Sequence, residues 1–233
     1  MTTDLWQTRS LSWSFLSTQH ASRVAVVLKS FELIDRCIEE YELLSANSTY
    51  ARVCGLTLLK GKNLALGSLS LVLDGLGQES GALLRPMIEY IELLTYFRLF
   101  PEKADRAAED DLPSAGLRAK AIGGIYKGLR EHLNEHAAHS SYSPFALSHL
   151  LTPELAFRRL QEFVPRVLEV NFRDFTVQLQ LMLQQGVLAL EPVASSKLHE
   201  LALNADRLKS RMLDVFGLTK NDPSIGYRES PTP

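Results

Sequence analysis

Only two cysteines, Cys37 and Cys54, occur in the 233-residue sequence, and they form no Cys-x-x-Cys pair. That excludes a disulfide framework and points to reduced thiols in a reducing compartment. A surplus of positive charge is also missing: 25 Lys and Arg stand against 27 Asp and Glu, a formal net charge of -2. Any contact with nucleic acid therefore depends on a local patch, because phosphate binding needs several cations on one face. The most apolar stretch, Leu64 to Leu73, is bounded by Lys62 and Asp74. It is far short of the roughly 20 apolar residues of a membrane helix. The first residues, MTTDLWQTRS, lack the basic region, apolar run and cleavage site of a secretory signal. These absences predict a cytoplasmic protein with no membrane partner. Neither a Gly-x-Ser-x-Gly elbow nor a glycine-rich phosphate loop occurs, so hydrolase, dehydrogenase and kinase readings have no support.

What is present is the composition of a globular protein with a sizeable core, 45% hydrophobic and 22% charged. From Val24 the apolar residues fall at Val24, Val27, Phe31, Ile34, Ile38 and Tyr41, the alternation of three and four that marks a helix face. Ser45 to Thr49 breaks it with turn and cap formers. Between Tyr50 and Leu76, Leu59, Leu66, Leu69, Leu73 and Leu76 keep helical spacing, although Leu69, Leu71 and Leu73 also alternate like a strand. With no second strand-like segment to pair with, helix is the consistent reading, ended by Gly75 and Gly77. Glu79 to Phe100 is apolar on nearly every side, as in a bundle centre, and Pro86 predicts a kink there unless it lies in the first turn. Pro101 to Pro113 reads as a short acidic connector or small helix, and Ser114 to His139 as one helix weakened by Gly123 and Gly124. Thr152 before Pro153 predicts a helix start, with Phe157, Leu160, Val164, Leu168, Phe172, Phe175, Leu179 and Met182 on one face and a bend at Pro165. A last helix spans Ser196 to Gly217. Residues 1 to 20 read as irregular, with Trp6 and Trp13 as docking points, and 218–233 as a tail. The expectation is an all-α bundle of about five to seven helices in one domain over residues 1–217, its core at about 22–145 and C-terminal helices at 152–217.

Two constellations could carry chemistry. Arg85, Glu89, Glu92 and Tyr96 are spaced four, three and four apart and share one stripe of an otherwise apolar helix. An arginine in such surroundings must find partners on other helices or face a cavity. The alternative is an exposed pair of Arg85 and Glu89 worth a few tenths of a kcal/mol. The second constellation is GLREHLNEHAAHSSYS, residues 128–143. On a helix His132, His136 and His139 fall within an arc of roughly 60°, bordered by Glu135. That face could be a metal site through His132 and His136, a general acid–base centre, or a solvated helix surface.

The stretch LVLDGLGQESGALLRPMIEYIELLTYFRLFPEKADRAAEDD resembles a bacterial family of HEPN-like helical proteins of unknown function. Its members pair an Arg-x-x-x-Glu on a central helix, an aromatic-rich turn and a proline-led acidic stretch with a later histidine in a small-polar context. The matching positions here are Arg85 and Glu89, then Tyr96, Phe97 and Pro101, then His139 followed by Ser140, within residues 50–145. The resemblance implies an up-down helical core with extra terminal helices, and a homodimer. Active HEPN domains are metal-independent ribonucleases with an arginine, four to six residues, then a histidine, and Arg130 and His136 stand at that spacing. The chain departs from the family at Pro86 after Arg85 and at Glu131 after Arg130. The implied enzyme is an endoribonuclease of single-stranded RNA, needing no cofactor and not acting on DNA. His136 or His139 would be its acid–base group and Arg130 or Arg85 its phosphate stabiliser, helped by the local excess of Arg118, Lys120, Lys127 and Arg130 over Glu131. A non-catalytic scaffold or regulatory module is the alternative reading, and metal binding by the histidine face a third.

Overall fold

A polar turn at residues 46–48 separates two 25-residue helices, α2 (Ala21–Ser45) and α3 (Thr49–Leu73). Ser48 caps the second: its backbone is extended and its hydroxyl accepts the Ala51 amide at 3.1 Å, which satisfies one of the amides a helix start leaves unpaired. Gly75 ends α3 in the left-handed region, φ 76°. The Gly75 amide donates to Val72 O at 3.1 Å and the Leu76 amide to Leu71 O at 2.9 Å, closing a Schellman motif. Gly77 opens α4 (Gly77–Leu99) instead of extending the break. The chain is seen here in a computed structural model that describes residues 6–136, 147, 150–152, 154–157 and 162–219, apart from the side chains at 132 and 134–136. About 80% of what is described is helical, with no strand; the one β-bridge joins Leu151 and Phe157. The protein is all-α.

Among the described residues there are nine α-helices, against the five to seven read from sequence. The first surplus helix is α1 (Gln7–Gln19), where an irregular segment was expected. Its serines and threonines are weak helix formers that here bond back to the preceding turn, Ser17 to Trp13 O and Thr18 to Ser14 O, both at 2.7 Å. Trp6 and Trp13 are exposed; docking falls to buried Leu16 and to Arg9. The Arg9 guanidinium donates to both Asp74 oxygens, at 2.7 and 2.5 Å, and to Ser70 Oγ at 2.6 Å. The acidic connector contains α5 (Ala104–Ala108). The expected helix from Ser114 splits into α6 (Ala115–Ala121) and α7 (Lys127–His136). Two consecutive glycines with positive φ, Gly123 at 74° and Gly124 at 65°, stand at the break. No helix accommodates that backbone.

Thr152 opens no helix. It lies in a turn, its amide donating to Ala156 O and its carbonyl accepting the Leu155 amide, both at 2.9 Å, and Phe157 is 82% exposed. Pro165 does not bend a helix but starts one, α8 (Pro165–Leu188), after an extended Val164. The pyrrolidine ring disfavours helical backbone at the residue before it and suits the first helical position. Helix α8 is buried nearly all round against α2, α3, α4 and α9 (Leu198–Phe216). Two of its embedded glutamines are bonded to neighbours: Gln180 donates to Ala205 O at 3.1 Å, and Gln185 accepts from Thr95 Oγ1 at 3.1 Å. Tyr41 donates to Gly186 O at 2.7 Å and Tyr50 to Ala189 O at 2.8 Å. Buried residues from Leu16 to Leu213 join in one core. Helix α3 is long and apolar enough to cross a membrane by composition alone, which the shorter run Leu64 to Leu73 did not suggest. Only 33% of its most apolar window is buried.

Candidate functional site

The polar stripe of α4 descends from surface to core. Arg85 and Glu89 side chains are 21% and 34% exposed, Glu92 only 3%. Tyr96 is buried, its ring 5.2 Å from Phe100. Arg85 and Glu89 thus keep part of their side chains in solvent, and the stripe grows more buried toward Glu92.

Facing the stripe is α7. Ile122, Tyr126, Leu129 and Leu133 are buried at helical spacing and fix the α6–α7 arm on α4. Tyr126, fully buried, places its hydroxyl 3.4 Å from Thr95 Oγ1, so the arm shares the hydrogen-bonded core of α4 and α8. Four residues after Tyr126, on the same face, comes Arg130. Its Nη2 lies 3.6 Å from Glu89 Oε1 and 3.6 Å from Glu92 Oε2. Arg85 Nη1 donates to Glu89 Oε1 at 2.7 Å. Two arginines and two carboxylates thus alternate along the α4–α7 seam. Burial pushes the Glu92 carboxyl above its usual range, with Arg130 the main opposing influence; Glu89 adds to the rise, and Arg85 and Arg118 work against it. Glu92 Oε1 is buried with no hydrogen-bond partner, consistent with that cost.

Outside this seam lies a cleft of about 420 Å³ lined by Gly116, Ala119, Lys120, Gly123, Gly124, Lys127 and Arg130. Its shape comes from the glycine turn. The Gly123 amide donates to Lys120 O at 3.0 Å and the Gly124 amide to Ala119 O at 2.8 Å, ending α6 in a Schellman motif. The reversed chain then starts α7 at Lys127, bringing the last turn of α6 beside the first turn of α7. Three cations converge there. Lys120 is exposed, Lys127 is 76% exposed and pairs with Glu131 at 3.7 Å, and Arg130 is 15% exposed. Cations at a helix N-terminus form a locally positive surface, suited to a phosphate or carboxylate.

Arg85, Glu89, Glu92 and Arg130, singled out along the sequence, are therefore brought together, with Tyr96 beneath them. The His132 and His136 side chains and all of His139 lie outside the described residues. Among the described residues no group of three His, Cys, Asp or Glu side chains could hold a metal ion. Cys37 and Cys54 are buried and free, and burial pushes both thiols up to about 12, away from nucleophilic use. Sequence reasoning missed Tyr126 and Thr95, which fix the arm, and the cleft itself. The spacing Ile122, Tyr126, Leu129, Leu133 was the available signal for the first. Fold and site define a class, an all-α bundle with a basic cleft beside a buried charge seam. No family model matches the chain, and no curated protein or solved structure matches it either.

Proposed function

We propose that the α6–α7 cleft binds the phosphate backbone of single-stranded RNA, and that the chain is a HEPN-like, metal-independent endoribonuclease. The observation that carries this reading is the convergence of Lys120, Lys127 and Arg130 on one cleft in a chain with no overall positive charge. In this reading His136 or His139 takes the proton from a ribose 2′-hydroxyl, which attacks the adjacent phosphorus and displaces the 5′-oxygen of the next nucleotide. Arg130 faces the charge that builds on the phosphate. Its pairing with Glu89 and Glu92 fixes its position but offsets its charge, so Lys120 and Lys127 supply most of the attraction.

The test is cleavage of single-stranded RNA in EDTA. The expected products carry 2′,3′-cyclic phosphate ends, and His136→Ala or His139→Ala abolishes them with little change in Tm. Lys120→Ala with Lys127→Ala weakens RNA binding and reduces the slope of log affinity against log salt by about 1.4, two phosphate contacts' worth. No cleavage by the native chain, or cleavage that survives both histidine substitutions, rejects the enzyme.

A second reading, a non-catalytic scaffold or regulatory module, is favoured by the charge compensation along the seam: two arginines, Arg85 and Arg130, stand against two carboxylates, Glu89 and Glu92, and would set helix register. RNA binding unaffected by the two lysine substitutions, together with no cleavage, selects it. Metal binding at His132 and His136 is the third: EDTA then lowers Tm and zinc restores it by mass action.

A further inference from the structure

Helix α3 contains no Asp or Glu, only Arg52, Lys60 and Lys62 as charges. Its outward ridge carries three exposed leucines, Leu56 at 53%, Leu59 at 37% and Leu66 at 45%, with exposed Arg52, Lys60 and Asn63 among them. Neighbouring α2 is the opposite in sign. Its outward face presents Glu32, Glu39 and Glu42, all exposed, between Leu28 at 56% and Leu43 at 77%. Glu32 pairs with Lys29 and Asp35 with Lys62, whereas Glu39, Glu42, Arg52 and Lys60 make no ion pair among the described residues. Two adjacent antiparallel helices thus expose leucines together with charges, acidic on α2 and basic on α3. Exposed apolar residues grouped in this way mark a contact surface.

The geometry points to this α2–α3 face as a docking surface for a second copy of the chain. The two helices are level at Tyr41 and Gly55, where a Cβ on Gly55 would lie 2.8 Å from Tyr41 Cβ, and again at the ion-paired Asp35 and Lys62. A two-fold axis parallel to both helices, lying outside the face above the groove between them, lays each α2 over the other copy's α3 without changing level. The second copy's Glu39 then meets Lys60 and its Glu42 meets Arg52, while its Leu28 meets Leu66. The same contacts recur on the other side of the axis, as an isologous interface requires. An anionic membrane would match α3 but be repelled by the acidic row beside it, and an acidic peptide would leave α2 uncovered. Only a surface carrying both signs matches both helices. The face is formed by α2 and α3 alone, whereas the basic cleft is carried by α6 and α7, so this inference does not rest on the proposed activity.

Sedimentation velocity of the full chain over a concentration series tests it. The native chain is expected to be a dimer, and Leu59→Glu with Leu66→Glu to weaken it at least about tenfold, with far-UV circular dichroism and Tm retained. Lys60→Glu and Glu39→Lys each weaken the dimer, and together they restore it, which a folding defect would not do. A native chain that stays monomeric overturns the proposal. So does a dimer that none of these substitutions alters, or a monomer that floats with phosphatidylserine vesicles through the leucine ridge.

Discussion

The α2–α3–α4–α8–α9 bundle and the α6–α7 arm are stabilised by contrasting means. Deep in the bundle, neutral polar groups bond one helix to the next: Tyr41 to Gly186, Tyr50 to Ala189, Gln180 to Ala205 and Thr95 to Gln185. The arm rests on a narrow apolar seam from Ile122 to Leu133, then hands its next contacts to Arg130, Glu89 and Glu92. Neutral hydrogen bonds inside a core rigidify it and are indifferent to pH, whereas partly buried charges respond to it. Glu92, the carboxyl that burial shifts upward, sits where the arm meets the bundle, so a pH-dependent change is expected at that junction.

Substitutions can break or sharpen that contrast. The largest expected effect lies in the bundle: Phe175, fully buried between Phe31 and Phe172, should cost about 3–5 kcal/mol as Phe175→Ala, read from urea unfolding. A loss under about 1.5 kcal/mol would mean the core is not centred on α8. Next comes Arg130→Ala, which strands the buried Glu92 carboxylate and should cost about 3 kcal/mol. Adding Glu92→Gln should recover more than half of that loss, the coupling expected of neighbours and absent for independent sites. Tyr41→Phe removes a neutral hydrogen bond deep in the bundle and should cost about 1 kcal/mol at every pH from 5 to 8.

Glu92→Gln alone probes the arm with a smaller effect and a definite sign. Burial raises the folded-state value of this carboxyl, so the folded chain binds more protons than the unfolded one between the two values. Stability from this group is present below the ordinary Glu value of about 4.3 and is lost as pH rises through the raised one. Glu92→Gln should therefore raise Tm at pH 7, and the gain should shrink as pH falls and the native acid protonates. A variant less stable than native at pH 7, with the deficit narrowing on acidification, would show that the pairing to Arg130 outweighs burial. Smallest of all is Arg85→Ala, expected to cost about 0.5 kcal/mol or less because its partner Glu89 is 34% exposed.

Helix α2 and the polar stripe of α4 were legible because periodicity and i,i+4 spacing are local properties. The start of α8 was not. Thr152–Pro153 carries as good a local start signal as Val164–Pro165, and only burial separates them: Phe157 finds no core to join, while Leu168, Phe172 and Phe175 do. The arm was misjudged for a related reason. A glycine in a helix costs only about 1 kcal/mol, too little to decide from sequence whether Gly123 and Gly124 interrupt a helix or reverse the chain. Buried Tyr126 and Leu129, which the reversed chain packs against α4, settle the matter.

By itself, then, the sequence determined the all-α class and the residues that share the faces of helices such as α2 and α4, consequences of composition and of a 3.6-residue period. Tertiary structure decided which faces meet. It laid Arg130 of α7 against Glu89 and Glu92 of α4, some 40 residues earlier, and it set Lys120 beside Lys127 across a glycine turn. Those pairings depend on the direction in which α7 leaves the turn. That direction follows from the apolar area Ile122, Tyr126, Leu129 and Leu133 bury on a neighbouring helix, a quantity that no window along the chain contains.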